Sequence, residues 1–204
     1  MATETCVPDQ LTPSTPRELY TALQTAWPQV VPDSEPARGS VLILVAHWGL
    51  ETGFGHFCHC FNLANKKHVK GDGRNYCMFR CNEVLNGQTV WFDPPDPATW
   101  FVAFDTLRDG AADYLAGLHK HFGAAWLDVV ADEPARFCHD LKLEHYYTAD
   151  EAIYTSGLVR CFHQLDASIP PDPSAAALAH DALLQAGIEI DETVHDKPPP
   201  PTDA

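Results

Sequence analysis

The 204-residue chain is short of basic residues, with 13 Lys+Arg against 28 Asp+Glu and a formal charge of −15. That balance excludes general binding to nucleic acid or anionic membranes, both of which need positive surface. No apolar run approaches the 18 or more residues of a membrane span, because residues 41–46 (VLILVA) are followed at once by His47. Membrane insertion is therefore not expected. The opening residues, MATETCVPDQ, have neither a basic start nor an apolar signal region. Synthesis in the cytoplasm without a signal peptide is the expectation. A Gly-x-Ser-x-Gly elbow, a phosphate loop, a dinucleotide fingerprint and an HExxH helix are also missing.

What is present is ordinary globular material, 45% hydrophobic and 10% aromatic, enough for one sizeable core. The seven cysteines are Cys6, Cys58, Cys60, Cys77, Cys81, Cys138 and Cys161. In a reducing compartment most are expected to be free thiols that pack as small apolar residues. A zinc site is the rival reading, since His56, Cys58, His59 and Cys60 cluster and Cys77 and Cys81 follow. Their spacing matches no paired CxxC pattern. His47 and Glu51, four apart on one helix face, form a second candidate metal pair without the HExxH context. The expectation is no metal and no cofactor.

Three zones follow from composition. Residues 1–37 read as an acidic, Pro-rich extension with one amphipathic stretch, 16–27, of short-helix type. Residues 38–166 carry the strong patterning. Residues 167–204 open with the Pro-rich joint 169–173, continue through an Ala/Leu-rich helical segment and end in an acidic Pro-rich tail expected to be disordered. Within the central zone, 40–50 (SVLILVAHWGL) is apolar on nearly every face, as in a helix buried at the centre of a domain. Gly53 and Gly55 mark its exit. Residues 76–92 read as a hairpin around Asn86-Gly87, the strongest short hairpin signal. Helices are predicted over 106–122, from Pro134 to about 141, and over 148–165, the last opened by a capping box at Thr148 and Glu151. The fold class is α+β, mainly helical, with a small β-hairpin lobe.

Glu51 is the leading chemical candidate. It ends a buried apolar helix beside Trp48, so desolvation and the negative end of the helix dipole both raise its pKa. A carboxylic acid that keeps its proton near neutral pH is what general acid catalysis requires. Glu83, three residues before the Asn-Gly turn, is the second carboxylate, with Asp72, Asp93 and Asp96 as rivals in the same lobe. Two carboxylates across a cleft are the minimum equipment for glycoside hydrolysis. Trp91 and Trp100 are candidates to stack on sugar faces. His119 and His121 read as solvated.

Residues 46–55, AHWGLETGFG, resemble the A-x-x-x-LES/TGxG motif of the flagellar-type endo-β-N-acetylglucosaminidases, a lysozyme-like family of peptidoglycan hydrolases that also supplies phage endolysins and virion lysins. Four further blocks occur in the family's order. NLANKK at 62–67 resembles N-L-x-G-x-K, and RCNE at 80–83 with Gly87 resembles T-x-E-x-x-x-G. FVAFDTL at 101–107, then Gly110, Asp113 and Tyr114, resembles F-R-A-[YF]-x-S-x and its acidic helix. Tyr146-Tyr147-Thr148 with Tyr154 resembles Y-A-T-x…Y. The resemblance covers 38–166. It implies a lysozyme-like fold, Glu51 as general acid, Glu83 as second carboxylate and Tyr146 as the tyrosine lining the cleft, with Tyr147 its alternative. Asn62 is implied as a substrate contact. Departures are Asn65 for the usual Gly, Val102 where Arg is common, and a Tyr146–Tyr154 spacing two residues longer than usual.

The resulting expectation is a hydrolase of β-1,4 bonds in peptidoglycan glycan strands, an endo-β-N-acetylglucosaminidase by resemblance. N-acetylmuramidase specificity and a non-catalytic wall-binding or structural part of a phage tail or injection apparatus are the alternatives. Action on the wall would follow release or delivery, including carriage in a virion. The charge fits a polymer substrate better than its total suggests. Residues 38–166 hold 11 Lys+Arg and 16 Asp+Glu, and Lys66, Lys67, Lys70, Arg74 and Arg80 stand together against Asp72 alone. Most of the acidity lies in the flanks.

Overall fold

The computed structural model describes residues 4–85, 88–93 and 99–171, and of 82–85 the backbone only. Residues up to Ile169 belong to one compact unit, and a second unit begins at Pro170. The helical segment and tail expected beyond 171, and the Asn86-Gly87 turn, lie outside the described residues.

The unit is built around α2 (Arg38–Thr52), which is buried along almost its whole length. Val41 through Ala46, and then Trp48, have no exposed surface at all. A helix with apolar side chains on every face cannot sit at a surface, so the other helices wrap it. At its N-terminus the Arg38 guanidinium pairs with the Asp166 carboxylate and donates to the carbonyls of Asp166 (2.8 Å) and Ile169 (2.6 Å). At its C-terminus Gly53 takes the left-handed conformation at φ 58°, which costs glycine no Cβ clash. The Thr52 hydroxyl closes that end, donating to Trp48 O and accepting from Gly55 N.

Around α2 lie α1 (Pro16–Ala26), α3 (Leu107–His121), α4 (Gly123–Val130), α5 (Pro134–Leu143) and α6 (Glu151–Ser168). α1 is amphipathic as read, opens with a Thr15–Glu18 capping box and Pro16, and buries Leu19, Leu23 and Ala26. Trp27 follows it and stacks on Trp126 of α4, centroids 5.0 Å apart. Residues 16–31 are thus part of the main core and not an appendage to it. The face that amphipathic helix presents needs burial, and α3 supplies it.

Two antiparallel pairs make the β lobe. β1 (Tyr76–Met78) pairs with β4 (Trp100–Val102), and β2 (Cys81–Leu85) pairs with β3 (Gln88–Phe92) in the register Cys81↔Phe92 to Leu85↔Gln88. The predicted hairpin therefore begins at Cys81. The residues before it are drawn away because β4 offers one edge of β1 a partner and the N-terminal segment offers the other, through Tyr76 N to Thr5 O and Val7 N to Tyr76 O. Two helix starts also differ from expectation. α6 is capped by Asp150, whose side chain accepts from Ile153 N, and not by Thr148. α4 has no counterpart among the predicted helices, because its first amides are satisfied by the distant carboxylate of Glu144.

Gly110 sets how closely α3 approaches the loop after α2. A Cβ there would lie 2.1 Å from the Phe61 carbonyl oxygen, a backbone atom that cannot swing aside. Gly110→Ala is expected to lose roughly 1–3 kcal/mol in urea unfolding through overpacking, despite the ~1 kcal/mol better helix propensity of Ala. A stabilised variant would contradict this packing.

Candidate active site

The exit of α2 opens on a cleft of about 1120 Å³ whose lining includes Glu51, Lys67, Arg80, Trp91, His145 and Tyr146. α2 contributes Glu51, and the lobe contributes Arg80, Cys81 and Trp91. Phe57 and His59 come from the loop after α2, and Tyr146 from the turn before α6.

Glu51 sits in the last turn of α2, its side chain 28% exposed. Burial raises its pKa, and a hydrogen bond from the Tyr154 hydroxyl to Oε1, 2.6 Å long, offsets part of that rise. Below it lies His47, one turn earlier on the same helix and fully buried. Desolvation lowers the His47 pKa to about 3, so the ring is neutral and its 3.7 Å approach to Glu51 is not an ion pair at neutral pH. The Tyr114 hydroxyl, its own pKa pushed well up by burial, meets His47 Nδ1 at 2.5 Å. Tyr146 packs against His47 and Phe122, and burial likewise raises its pKa. Glu51 is therefore surrounded by groups that hold their protons and supply no counter-charge. That environment favours the protonated carboxyl.

The other expected site residues are distributed unevenly. Trp91 is 55% exposed in the cleft, with the Arg80 guanidinium 4.3 Å above its ring. Trp100 lies outside the cleft lining and stacks on Tyr76 at 4.5 Å, a packing role. Asn62 is buried and works as a loop clamp: its Nδ2 donates to the carbonyls of Lys66 and Val102, and its Oδ1 accepts from Lys66 N. Tyr147 is buried too, donates to Cys138 O and stacks on Tyr154 at 3.8 Å. It faces the core, so Tyr146 is the cleft tyrosine of the pair. Glu83 stands opposite Val90 in β2, two residues beyond the cleft residue Cys81, and its side chain lies outside the described residues. Tyr154, which bonds Glu51 directly, is the functional residue that sequence reasoning leaves without a role. Its place in the quoted Y-A-T-x…Y block was the available signal.

Two departures from the motif pattern have structural reasons. Asn65 adopts φ 49°, a conformation that glycine fills freely and asparagine tolerates better than most residues. Val102 is fully buried on β4. The six residues of the rival zinc reading do not come together as one set among the described residues. Of the six, Cys60 and Cys77 come within ligating reach of each other together with Asp9, the one group of three donors among the described residues that includes any of them. His59 is hydrogen-bonded to Asp9, and Cys58 faces Thr12 and Asn62. All seven cysteines are free thiols.

Among solved structures, the chain is similar to the glycoside hydrolase domain of FlgJ from Salmonella typhimurium. The TM-score is 0.51 at 15% identity, covering 85% of this chain and 99% of that one. A C-terminally truncated form of that domain gives 0.50 at 16% identity over 74% and 98%. The chain shares the fold of the FlgJ glycoside hydrolase domain. A peptidoglycan hydrolase mutant from Sphingomonas sp. A1 gives a lower TM-score, 0.47, at 21% identity over 70% and 92%. No protein-family profile matches the chain, and no curated protein matches it in sequence. The shared fold agrees with the α+β, mainly helical class and with the flagellar-type resemblance read from the sequence blocks. No helix among the described residues is long and apolar enough to cross a membrane.

Tyr154→Phe removes the donor to Glu51 and leaves the ring stack. Hydrogen bonds to charged groups contribute about 1.5–3 kcal/mol, more than those to neutral partners. The variant is expected to lose more stability in urea at pH 8, with Glu51 ionised, than at pH 4. An equal loss at both would assign the hydroxyl to packing alone.

Proposed function

We propose that the protein hydrolyses β-1,4 glycosidic bonds in peptidoglycan glycan strands, with Glu51 as general acid. The observation that carries this reading is the Glu51 carboxyl itself: desolvated, raised in pKa, and open to a cleft of saccharide dimensions. The shared fold and the ordered motif blocks support the substrate class. The same blocks favour endo-β-N-acetylglucosaminidase specificity over the muramidase bond.

In the reaction, the glycosidic oxygen takes the Glu51 proton as its bond to C1 breaks, water adds to C1, and the proton that water gives up returns the carboxyl pair to its starting state. Glu83 is assigned as the second carboxylate that balances the developing oxocarbenium charge. Tyr146 keeps its proton across the working pH range and offers a hydroxyl donor in the cleft. Trp91 presents an exposed indole face for a sugar ring. Lys67 and Arg80 line the same cleft and suit the carboxylates of wall peptides. Delivery to the wall, by release or aboard a particle, belongs to the same proposal.

Glu51→Gln keeps the shape and an acceptor for Tyr154 but has no proton to give. Release of new reducing ends from purified peptidoglycan is expected to fall by about 10²–10⁴-fold, with mass analysis of wild-type products locating the bond cut. The same variant tests the pKa argument with the opposite sign. A carboxyl whose folded pKa is raised favours the fold when protonated and costs stability as pH rises through that pKa. Glu51→Gln is therefore expected to be more stable than wild type at pH 7–8, the difference closing toward pH 4. Wild-type protein that binds wall and releases no reducing ends would instead establish a non-catalytic wall-binding component.

A further inference from the structure

Away from the cleft, His68 presents an unsolved polar problem. Its side chain has no exposed surface, and neither Nδ1 nor Nε2 finds a hydrogen-bond partner among the described residues. The ring is held by packing against Tyr76, centroids 4.6 Å apart, and its backbone amide donates to Trp100 O on β4. A buried imidazole with both nitrogens unsatisfied is costly.

Nε2 faces two carboxylate oxygens, Glu4 Oε2 at 3.7 Å and Asp72 Oδ1 at 3.5 Å. Both distances are too long for hydrogen bonds. They match the spacing of ligands that share one ion, since two donors each ~2.1 Å from a tetrahedral Zn²⁺ lie about 3.4 Å apart. The three donor atoms are all within 4.8 Å of one another.

The carboxylates are also oriented for this. Glu4 Oε1 accepts from the amides of Gly71 (2.5 Å) and Gly73 (3.0 Å), which leaves Oε2 toward His68. Both glycines have positive φ, 94° and 77°, so the turn that aims those amides suits residues without a Cβ. Asp72 Oδ2 accepts from the Arg74 guanidinium, and Oδ1, which also accepts from Arg74 N, is the oxygen near His68. Each carboxylate therefore has the outer support that metal-binding carboxylates carry. Both carboxylate side chains are one-fifth exposed, which gives an ion a path in.

We propose that Glu4, His68 and Asp72 bind one divalent transition-metal ion of the Zn²⁺ type. One imidazole nitrogen and two carboxylate oxygens suit Zn²⁺, Co²⁺ or Mn²⁺ better than Ca²⁺, which takes six to eight oxygens. The ion satisfies Nε2, neutralises two carboxylates and ties the N-terminal segment to the 68–74 loop beside β1.

The test is Co²⁺ and Zn²⁺ titration of the untagged, chelator-treated full chain. One equivalent of Co²⁺ is expected to bind with weak visible bands and no near-ultraviolet thiolate band, and Zn²⁺ to raise the thermal midpoint by several degrees. Glu4→Gln and Asp72→Asn, both partly exposed and expected to fold, should each weaken binding by about tenfold or more. Three results would overturn the proposal. Absence of saturable binding would show that His68 and the two carboxylates hold no ion. A strong thiolate band would place the ion on Cys60 and Cys77, and unchanged affinity in both variants would place it elsewhere.

Discussion

The structure depends on one constraint: a helix that must be buried on every side ends in a carboxylate. α2 has no polar face to offer water, so the rest of the unit is arranged to cover it. α6 packs along it and is tied to its start by Arg38 and Asp166, while the left-handed Gly53 turns the chain out at its end. Because the helix stops at Thr52, Glu51 lies at the boundary between core and cleft. Its desolvation follows from the fold and needs no special device.

The electrostatics around Glu51 follow from the same burial. His47, Tyr114, Tyr146 and Tyr154 are all held in their neutral forms by desolvation, so the carboxyl gains a hydrogen-bond donor without gaining a counter-ion. A cation placed there would pull the pKa down and remove the acid. The basic residues are spent elsewhere. Lys66 pairs with Asp113, and Arg74 bridges Asp113 and Asp72. Lys67 and Arg80 line the cleft, and Arg80 also pairs with Asp93. The run of positive charge seen in sequence is therefore divided between loop construction and the cleft wall.

Much of this was legible in the sequence because the decisive features are local. A run apolar on all faces, a glycine exit and a carboxylate between them specify the buried helix and its acid. The amphipathic stretch 16–27 specifies α1, although its Thr15–Glu18 capping box emerges only in the structure. What was not legible depends on partners distant in sequence. The separation of β1 from the hairpin is decided by β4 and by Thr5 and Val7, and α4 is capped by Glu144 from 20 residues away. The tyrosines show the same division. Period and motif place Tyr146, Tyr147 and Tyr154 near the site, but only packing separates the cleft residue from the core residue and from the donor to Glu51. Asn62 was read for its motif, whereas its amide is consumed by the backbone of its own loop and β4.

The account rests on Glu51 holding its proton because the end of α2 is desolvated. The most direct measurement is the titration of the Glu51 side-chain carboxyl carbon by NMR in the wild-type chain. The account predicts a midpoint clearly above the ordinary glutamate value of about 4.3. A midpoint at or below that value would contradict it, and would remove Glu51 from the role of general acid near neutral pH.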